Sequence, residues 1–253
     1  MMRLVTIQAS AFKQTFEVLK DILNDTNIYF TPKGVTICTL DTARTSLIDV
    51  HLAADNFEEY ECDEPEIIAG VNITNTFKLF KTITNNDVMT FEIKPGCKEY
   101  LHIEITSESK RQASKFDLKL LDINESRIEV PEIPVENVVT TTLPSADFQR
   151  LCRDMNNIGS DIAISRTGNE LRMQCEGDFA NQETRIDTVE HTDHSFTGVY
   201  SLRYLNIFTK ATGMCSSVQL MHETGNRFLI LSYNVANLGE LKFYLATKVS
   251  SNH

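Results

Sequence analysis

Ser145-Ala-Asp-Phe-Gln-Arg-Leu-Cys-Arg-Asp-Met155 carries two surface chemistries on one short segment. It follows Pro144 and opens on Ser145, whose hydroxyl can accept an orphan backbone N–H, so a helix capped by Ser145 is predicted. With residues about 100° apart around a helix axis, Phe148, Leu151, Cys152 and Met155 fall on one side. Arg150 and Arg153 fall opposite, roughly 180° from the apolar centre. One face is built for a core and the other is cationic. Two arginines on a solvated helix back are ordinary, so this helix alone assigns no function.

The cationic back stands in an acidic chain. The 253 residues hold 35 Asp and Glu against 24 Lys and Arg, a net charge of −11. Nonspecific adhesion to nucleic acid is disfavoured, and a DNA role needs its cations gathered on one surface. Hydrophobic residues make up 42% and charged residues 23%, enough for a real core, and the length suits two domains. No run of 18 apolar residues occurs, so no membrane span is expected. The start, Met1 to Ile7, lacks the apolar run of a secretory signal. Six dispersed cysteines without a CxxC pair point to reduced thiols and away from a zinc site. His191-Thr-Asp-His194 is a polar, turn-like stretch and reads as a surface cluster, so neither metal nor cofactor is expected. No GxxxxGK[ST], HExxH or GxSxG pattern occurs, and the carboxylates form no recognisable catalytic pair, so no enzyme is expected.

Three more stretches repeat the opening one. Ser10 to Leu23 places Phe12, Phe16, Leu19 and Leu23 at helical spacing, with Ser10 as its cap. Helices are also predicted from Thr74 to Ile83 and from Ser201 to Lys210. Each helix is followed by a strand pair with turn residues between. These are 27–31 and 34–40 across Pro32 to Gly34, then 88–93 and 99–106 across Pro95-Gly96. The others are 161–165 and 170–175 turning at Gly168-Asn169, and 217–222 and 227–233 turning at Gly225-Asn226. Further strands are predicted at 45–52, 67–73 and 241–245. The helix starts lie 64, 71 and 56 residues apart, too long a period for the common solenoids. The fold class is α+β: two similar domains, each of two helix-plus-strand repeats. Residues 120–137, with two prolines and five carboxylates, read as an extended acidic connector between a domain at 1–119 and one at 138–253.

Every helix holds a cationic pair: Lys13 and Lys20, Lys78 and Lys81, Arg150 and Arg153, Arg203 and Lys210. In the last three the pair lies opposite the apolar face; in the first it sits about 90° to the side. Four copies in an acidic protein point to one shared cationic surface. That surface has neither stacking aromatics for single strands nor a base-reading helix, which leaves sequence-nonspecific contact with duplex phosphate.

Phe148-Gln-Arg-Leu-Cys-Arg-Asp154 with Ile158-Gly159, Leu202 to Thr212, Gly70-Val-Asn-Ile73, Glu17 to Asp21 and Leu241 to Ala246 together resemble the proliferating cell nuclear antigen family, the eukaryotic-type DNA sliding clamps, and the likeness runs end to end. The resemblance implies the DNA-clamp fold: a homotrimeric ring, helices lining a bore, sheets outside. Duplex DNA threads the bore, while DNA polymerase and other clamp-binding-peptide proteins dock outside and an ATP-dependent clamp loader opens the ring. It implies DNA contacts at the four pairs together with Lys119 and Arg185. It implies subunit contact between strand edges near 111–119, with Phe116, and 184–188, with Arg185. A partner-peptide pocket maps to Leu40, Ile128, Val130, Pro131, Phe228, Tyr244 and Ala246. Eight paired cations in each of three chains give 24. A helix of about 12 residues spans about 18 Å, over which duplex DNA carries roughly 11 phosphates. Such a bore neutralises the threaded segment, while three chains at −11 leave −33 outside.

Several positions depart from the family pattern. Phe228 and Thr247 replace usual prolines, Glu129 a small residue and Thr142 a common bore-edge lysine. The 166–169 loop lacks the lysine that related clamps use for ubiquitin-type modification. Such drift points to a viral or protist lineage, and to the nucleus or an intracellular viral replication site. A checkpoint-type subunit of a heterotrimeric clamp and a viral processivity protein that forms no ring are the competing readings.

Overall fold

The computed structural model describes residues 1–125, 127, 128, 130, 133, 134, 137–223, 225 and 227–248. Two compact units emerge. The first is Met1–Thr42, Ile48–Glu129 and Asn234–Leu241; the second is Ala43–Leu47, Val130–Tyr233 and Lys242–His253.

In the first unit, β1 (Met2–Thr6) alternates buried and half-buried residues, the period of a strand with one face on a core. It pairs antiparallel with β5 (Glu59–Cys62) on one side and β7 (Asp87–Lys94) on the other. β8 (Cys97–Ser107) and β9 (Gln112–Lys119) complete a five-stranded sheet of order β5-β1-β7-β8-β9. A second layer runs β6 (Ile67–Asn72), β2 (Asp25–Thr31), β3 (Gly34–Leu40) and β4 (Ser46–Ala53). Helices α1 (Ala9–Leu19) and α2 (Ile73–Phe80) pack on each other. Phe12, Phe16, Leu19 and Leu23 are all buried, as their spacing predicts. Phe16 meets Phe80 edge-on at 5.1 Å and Phe12 meets Phe91 at 5.5 Å. Each buried Phe contributes about 1.5–3 kcal/mol of transfer energy, which ties the helices to the sheet.

In the second unit, β10 (Val138–Pro144) pairs with β13 (Ser217–Glu223), which pairs with β14 (Phe228–Val235); β15 (Gly239–Ala246) follows in the sheet order. α3 (Ser145–Asn156) packs on α4 (Leu202–Phe208), and a 3₁₀ turn over Thr209–Gly213 extends α4. A long hairpin joins β11 (Asp161–Glu176) to β12 (Asn181–Ser201). Phe208 stacks on Phe243 at 4.4 Å, binding helix to sheet.

Five expectations are corrected. Ser145 is the first helical residue, not the cap. Pro144 holds the cap position without a side-chain bond, and the Ser145 hydroxyl donates to Cys215 O at 2.6 Å. Ser10 likewise lies inside α1, which begins at Ala9 and ends at Leu19, not Leu23; Lys20 to Leu23 are turn and loop, although the Leu23 side chain remains in the core. α2 stops at Phe80, short of Ile83. Gly168-Asn169 is not a hairpin turn. β11 runs on through it, with Gly168 in the left-handed region at φ 56° and the register shifting on either side. Glycine there absorbs a bulge, and the chain reverses only after Glu176. The Pro95-Gly96 turn stands as predicted, Lys94 opposite Cys97 with Gly96 at φ 73°. Asn226, in the predicted 225–226 turn, lies outside the described residues.

Candidate nucleic-acid interface

Amphipathic helices position the cations. α3 buries Phe148, Cys152 and Met155, and Leu151 is half-buried; Arg150 and Arg153 therefore project to water. Arg150 Nη2 meets Asp147 Oδ1 at 3.0 Å on the exposed face. On α4, buried Leu202, Leu205 and Phe208 leave Arg203 exposed, and Lys210 stands exposed in the following 3₁₀ turn. Gln149 Nε2 donates to Thr209 O at 2.8 Å and Asn206 Nδ2 to Cys152 O at 3.2 Å, so the two helices hold a fixed relation. In the second unit the structure thus gathers both cationic pairs on one helix pair.

The first unit differs. Lys78 and Lys81 are exposed on and just after α2, and Lys78 Nζ donates to Asn75 Oδ1 at 2.9 Å. Lys20 is half-buried, beside Asp21 at 3.4 Å and over the Phe77 ring at 5.2 Å. Lys13 turns inward: its ammonium donates to Lys81 O and Ile83 O, both at 3.0 Å. Carbonyls just beyond a helix C-terminus are left without helical partners and carry partial negative charge. Lys13 therefore acts as a side-chain cap on the end of α2, and this role was invisible to spacing alone. Asn72 caps the other end, its side chain accepting from Asn75 N at 2.9 Å.

Lys119 ends β9, exposed, and Arg185 lies exposed on β12 with Glu183 at 2.6 Å. β9 is the last strand of its sheet, and Phe116 on it is half-buried. Of the partner-pocket residues, Leu40 and Ile128 belong to the first unit, both half-buried. Val130, Phe228, Tyr244 and Ala246 belong to the second, and Pro131 and Glu129 lie outside the described residues. Phe228 meets Tyr244 edge-on at 5.8 Å, with the Arg227 guanidinium over the Phe228 ring at 5.4 Å. The start of the connector is anchored on the first unit. Leu121 N donates to Gly70 O at 2.8 Å, Asn27 Nδ2 donates to Ile123 O at 3.1 Å, and Arg127 pairs with Glu66 at 2.6 Å while covering the Tyr29 ring. A Cβ on Gly70 would meet Leu121 O at 2.2 Å, so glycine is what lets the connector lie there. In the stretch singled out for its histidines, His191 Nδ1 faces Asn169 Oδ1 at 2.8 Å and Nε2 faces Asp193 at 3.4 Å.

One buried cation escaped sequence reading. Ile162, Ile164 and Arg166 alternate on the inward face of β11, and Arg166 is only 1% exposed. The period-2 pattern that marks the two isoleucines as core marks the arginine too.

Comparison with known proteins agrees with this architecture. Residues 1–127 match the family described as proliferating cell nuclear antigen, N-terminal domain, and residues 129–248 match its C-terminal domain. A protein of Paramecium bursaria Chlorella virus 1 described as "Probable DNA polymerase sliding clamp 1" is 34% identical over 255 residues, covering 97% of this chain and 96% of that protein. With both domains matched in order, the two units are those of the DNA-clamp fold, and the chain belongs to the proliferating cell nuclear antigen family.

Proposed function

We propose that the chain is the subunit of a DNA sliding clamp, a processivity factor that encircles duplex DNA and tethers DNA polymerase and other replication and repair proteins. The observation that carries this reading is the end-to-end match of both family domains, combined with arginines and lysines on the solvent faces of helices in a chain of net charge −11. Three copies close a ring, with the outer edge of β9 on one chain pairing with β12 of the next. Arg150, Arg153, Arg203, Lys210, Lys78, Lys81, Lys20, Lys119 and Arg185 face the phosphates. Lys13 contributes by holding the end of α2 where Lys81 sits. Contacts to phosphate alone carry no sequence information, so the ring slides. Retention comes from topology, and an ATP-dependent loader opens the ring in the nucleus or at a viral replication site. Residues 120–137 connect the domains, and the apolar residues Leu40, Ile128, Val130, Pro131, Phe228, Tyr244 and Ala246 receive partner peptides. The protein turns over no substrate of its own.

The test is retention on DNA of different topology. Protein loaded on a nicked circle stays bound in high salt and falls off once the circle is cut. Equal retention on circle and linear DNA overturns the ring.

A further inference from the structure

Thr140 and Thr142 turn backbone polar groups away from their own sheet. β10 lies antiparallel to β13, and beyond the last pair of that ladder Ser145 N donates to Ser216 O at 2.9 Å. Bonding alternates along an antiparallel pair, so Val139, Thr141 and Leu143 also face β13. The N–H and C=O of Thr140 and Thr142 therefore point to the other side. There β10 is the last strand of its sheet, and no strand pairs with it among the described residues. Pro144 ends the row, because it has no N–H to offer.

The two units differ at this place. β1 precedes α1 and pairs with β7, the strand after α2, just as β10 precedes α3 and pairs with β13, the strand after α4. On its other edge β1 carries β5, whose Glu59 meets Arg3 at 3.3 Å. Residues 20–72 lie between α1 and α2, but only 157–201 between α3 and α4, eight fewer. A counterpart of β5 is what the shorter stretch leaves out. In its place is a cavity of about 360 Å³, walled by 140–144 on one side and by 186–190 of β12 on the other.

The walls are tied together while the cavity stays open. Arg166 Nε donates to Thr141 Oγ1 at 3.3 Å, Nη1 to Gly168 O and Nη2 to Glu190 O, which links β10 to β12. On β13, His222 stacks on Phe196 of β12 at 3.4 Å. A slot already held in shape costs a guest little ordering. Arg166 is only 1% exposed, so its charge is not what a guest meets. The exposed charges of the lining are Asp187 and Glu190; beside them Ile186 is half-buried and Val189 fully exposed.

We propose that this slot docks a short extended peptide of another protein, basic residues alternating with apolar ones, which adds a strand to β10. Its backbone takes the N–H and C=O groups of Thr140 and Thr142. Its lysines or arginines meet Asp187 and Glu190, and its apolar side chains cover Ile186 and Val189. The sign is the reverse of the first unit, where the added strand brings acids to an arginine. This goes beyond the clamp function and does not require it.

The probe is acetyl-Lys-Val-Lys-Val-Lys-amide, titrated into the full chain with calorimetry and amide exchange as readouts. In the free protein Thr141 and Leu143 exchange slowly and Thr140 and Thr142 fast; the peptide slows the second pair. The same peptide N-methylated at every amide, and its twin with Glu for Lys, bind weaker by on the order of tenfold or more. Thr142→Pro deletes an outward N–H, leaves the bonds to β13 in place and weakens binding on the same scale. Glu190→Lys changes an exposed side chain, weakens the basic peptide and strengthens the acidic twin. Equal binding of the N-methylated peptide reduces the effect to attraction by a chain of net charge −11 and overturns strand addition. Protection centred on β9 or on the helices overturns the location. The slot adjoins the proposed subunit contact at 184–188, so the titration is repeated on Phe116→Asp. Equal affinity there supports the proposal. Binding to that variant alone gives the slot to a neighbouring copy and overturns it, while sedimentation reports separately whether the chain assembles.

Discussion

Lys13 spends its charge on two backbone carbonyls, and this separates it from the cations around it. Replacing Lys13 by Met removes a cap and is expected to lower stability by about 1 kcal/mol, read from denaturant unfolding. The dependence of log affinity for duplex DNA on log salt stays as in the wild type. Arg153→Gln does the reverse, with stability unchanged and the salt slope smaller by about one. A smaller slope in Lys13→Met would return that residue to the phosphate contacts. His222 offers a second measurement. Its pKa is held well below the ordinary 6.5 by burial and by Arg166, so below that pH the unfolded chain binds a proton that the folded chain refuses. Stability is therefore full above pH 6.5 and falls as pH drops, by up to about 1.4 kcal/mol per pH unit from this group. His222→Phe keeps the stack on Phe196 and is expected to lose that step in acid unfolding curves. At this scale the sequence was only partly legible. Ser145 has the chemistry of a cap, but a carbonyl brought from 70 residues away captured its hydroxyl, and no local pattern announces that.

The strands and helices were read best where periodicity and turn chemistry agreed. The apolar faces of α1 and α3 matched the expected residues, and the turns at Pro95-Gly96 and Gly34 fell in place. Gly168-Asn169 failed because glycine serves a turn and a bulge equally well. Only pairing with β12, formed far along the chain, selects between them. A consequence can be measured. An added Cβ at Gly168 meets nothing nearer than His191 Cε1 at 3.5 Å, so Gly168→Ala suffers only the left-handed backbone cost, about 1–2 kcal/mol. At Gly177 the same Cβ would lie 1.9 Å from Ile158 O, and Gly177→Ala should be far more damaging. Urea unfolding of the two variants ranks them; equal losses would deny that β11 is continuous through Gly168. β1, β5 and β10 were passed over because short strands between stronger signals carry too few alternations to stand out.

For the molecule as a whole, the fourfold recurrence of helix and strands was the most legible feature, since it depends on composition over tens of residues and tolerates local error. The proposed assembly was not legible from spacing, because an edge strand does not record in its own sequence which strand it would join. If β9 joins a neighbouring chain, Phe116→Asp places a charge beside that seam. Sedimentation should then shift from about three copies toward one; an unaltered mass would move the interface elsewhere.

The outer edge of β9 has a further implication. Among the described residues no strand pairs with that edge, and such a row of amides and carbonyls accepts almost any extended peptide, so in the proposed ring a lone chain is chemically adhesive until a second copy arrives. Lys115, Asp117 and Lys119, all exposed there, impose an alternating pattern of sign that a newcomer must match. The same strand is thus both bait and filter, and dilution, by lengthening the time it waits, should expose the chain to the wrong guests.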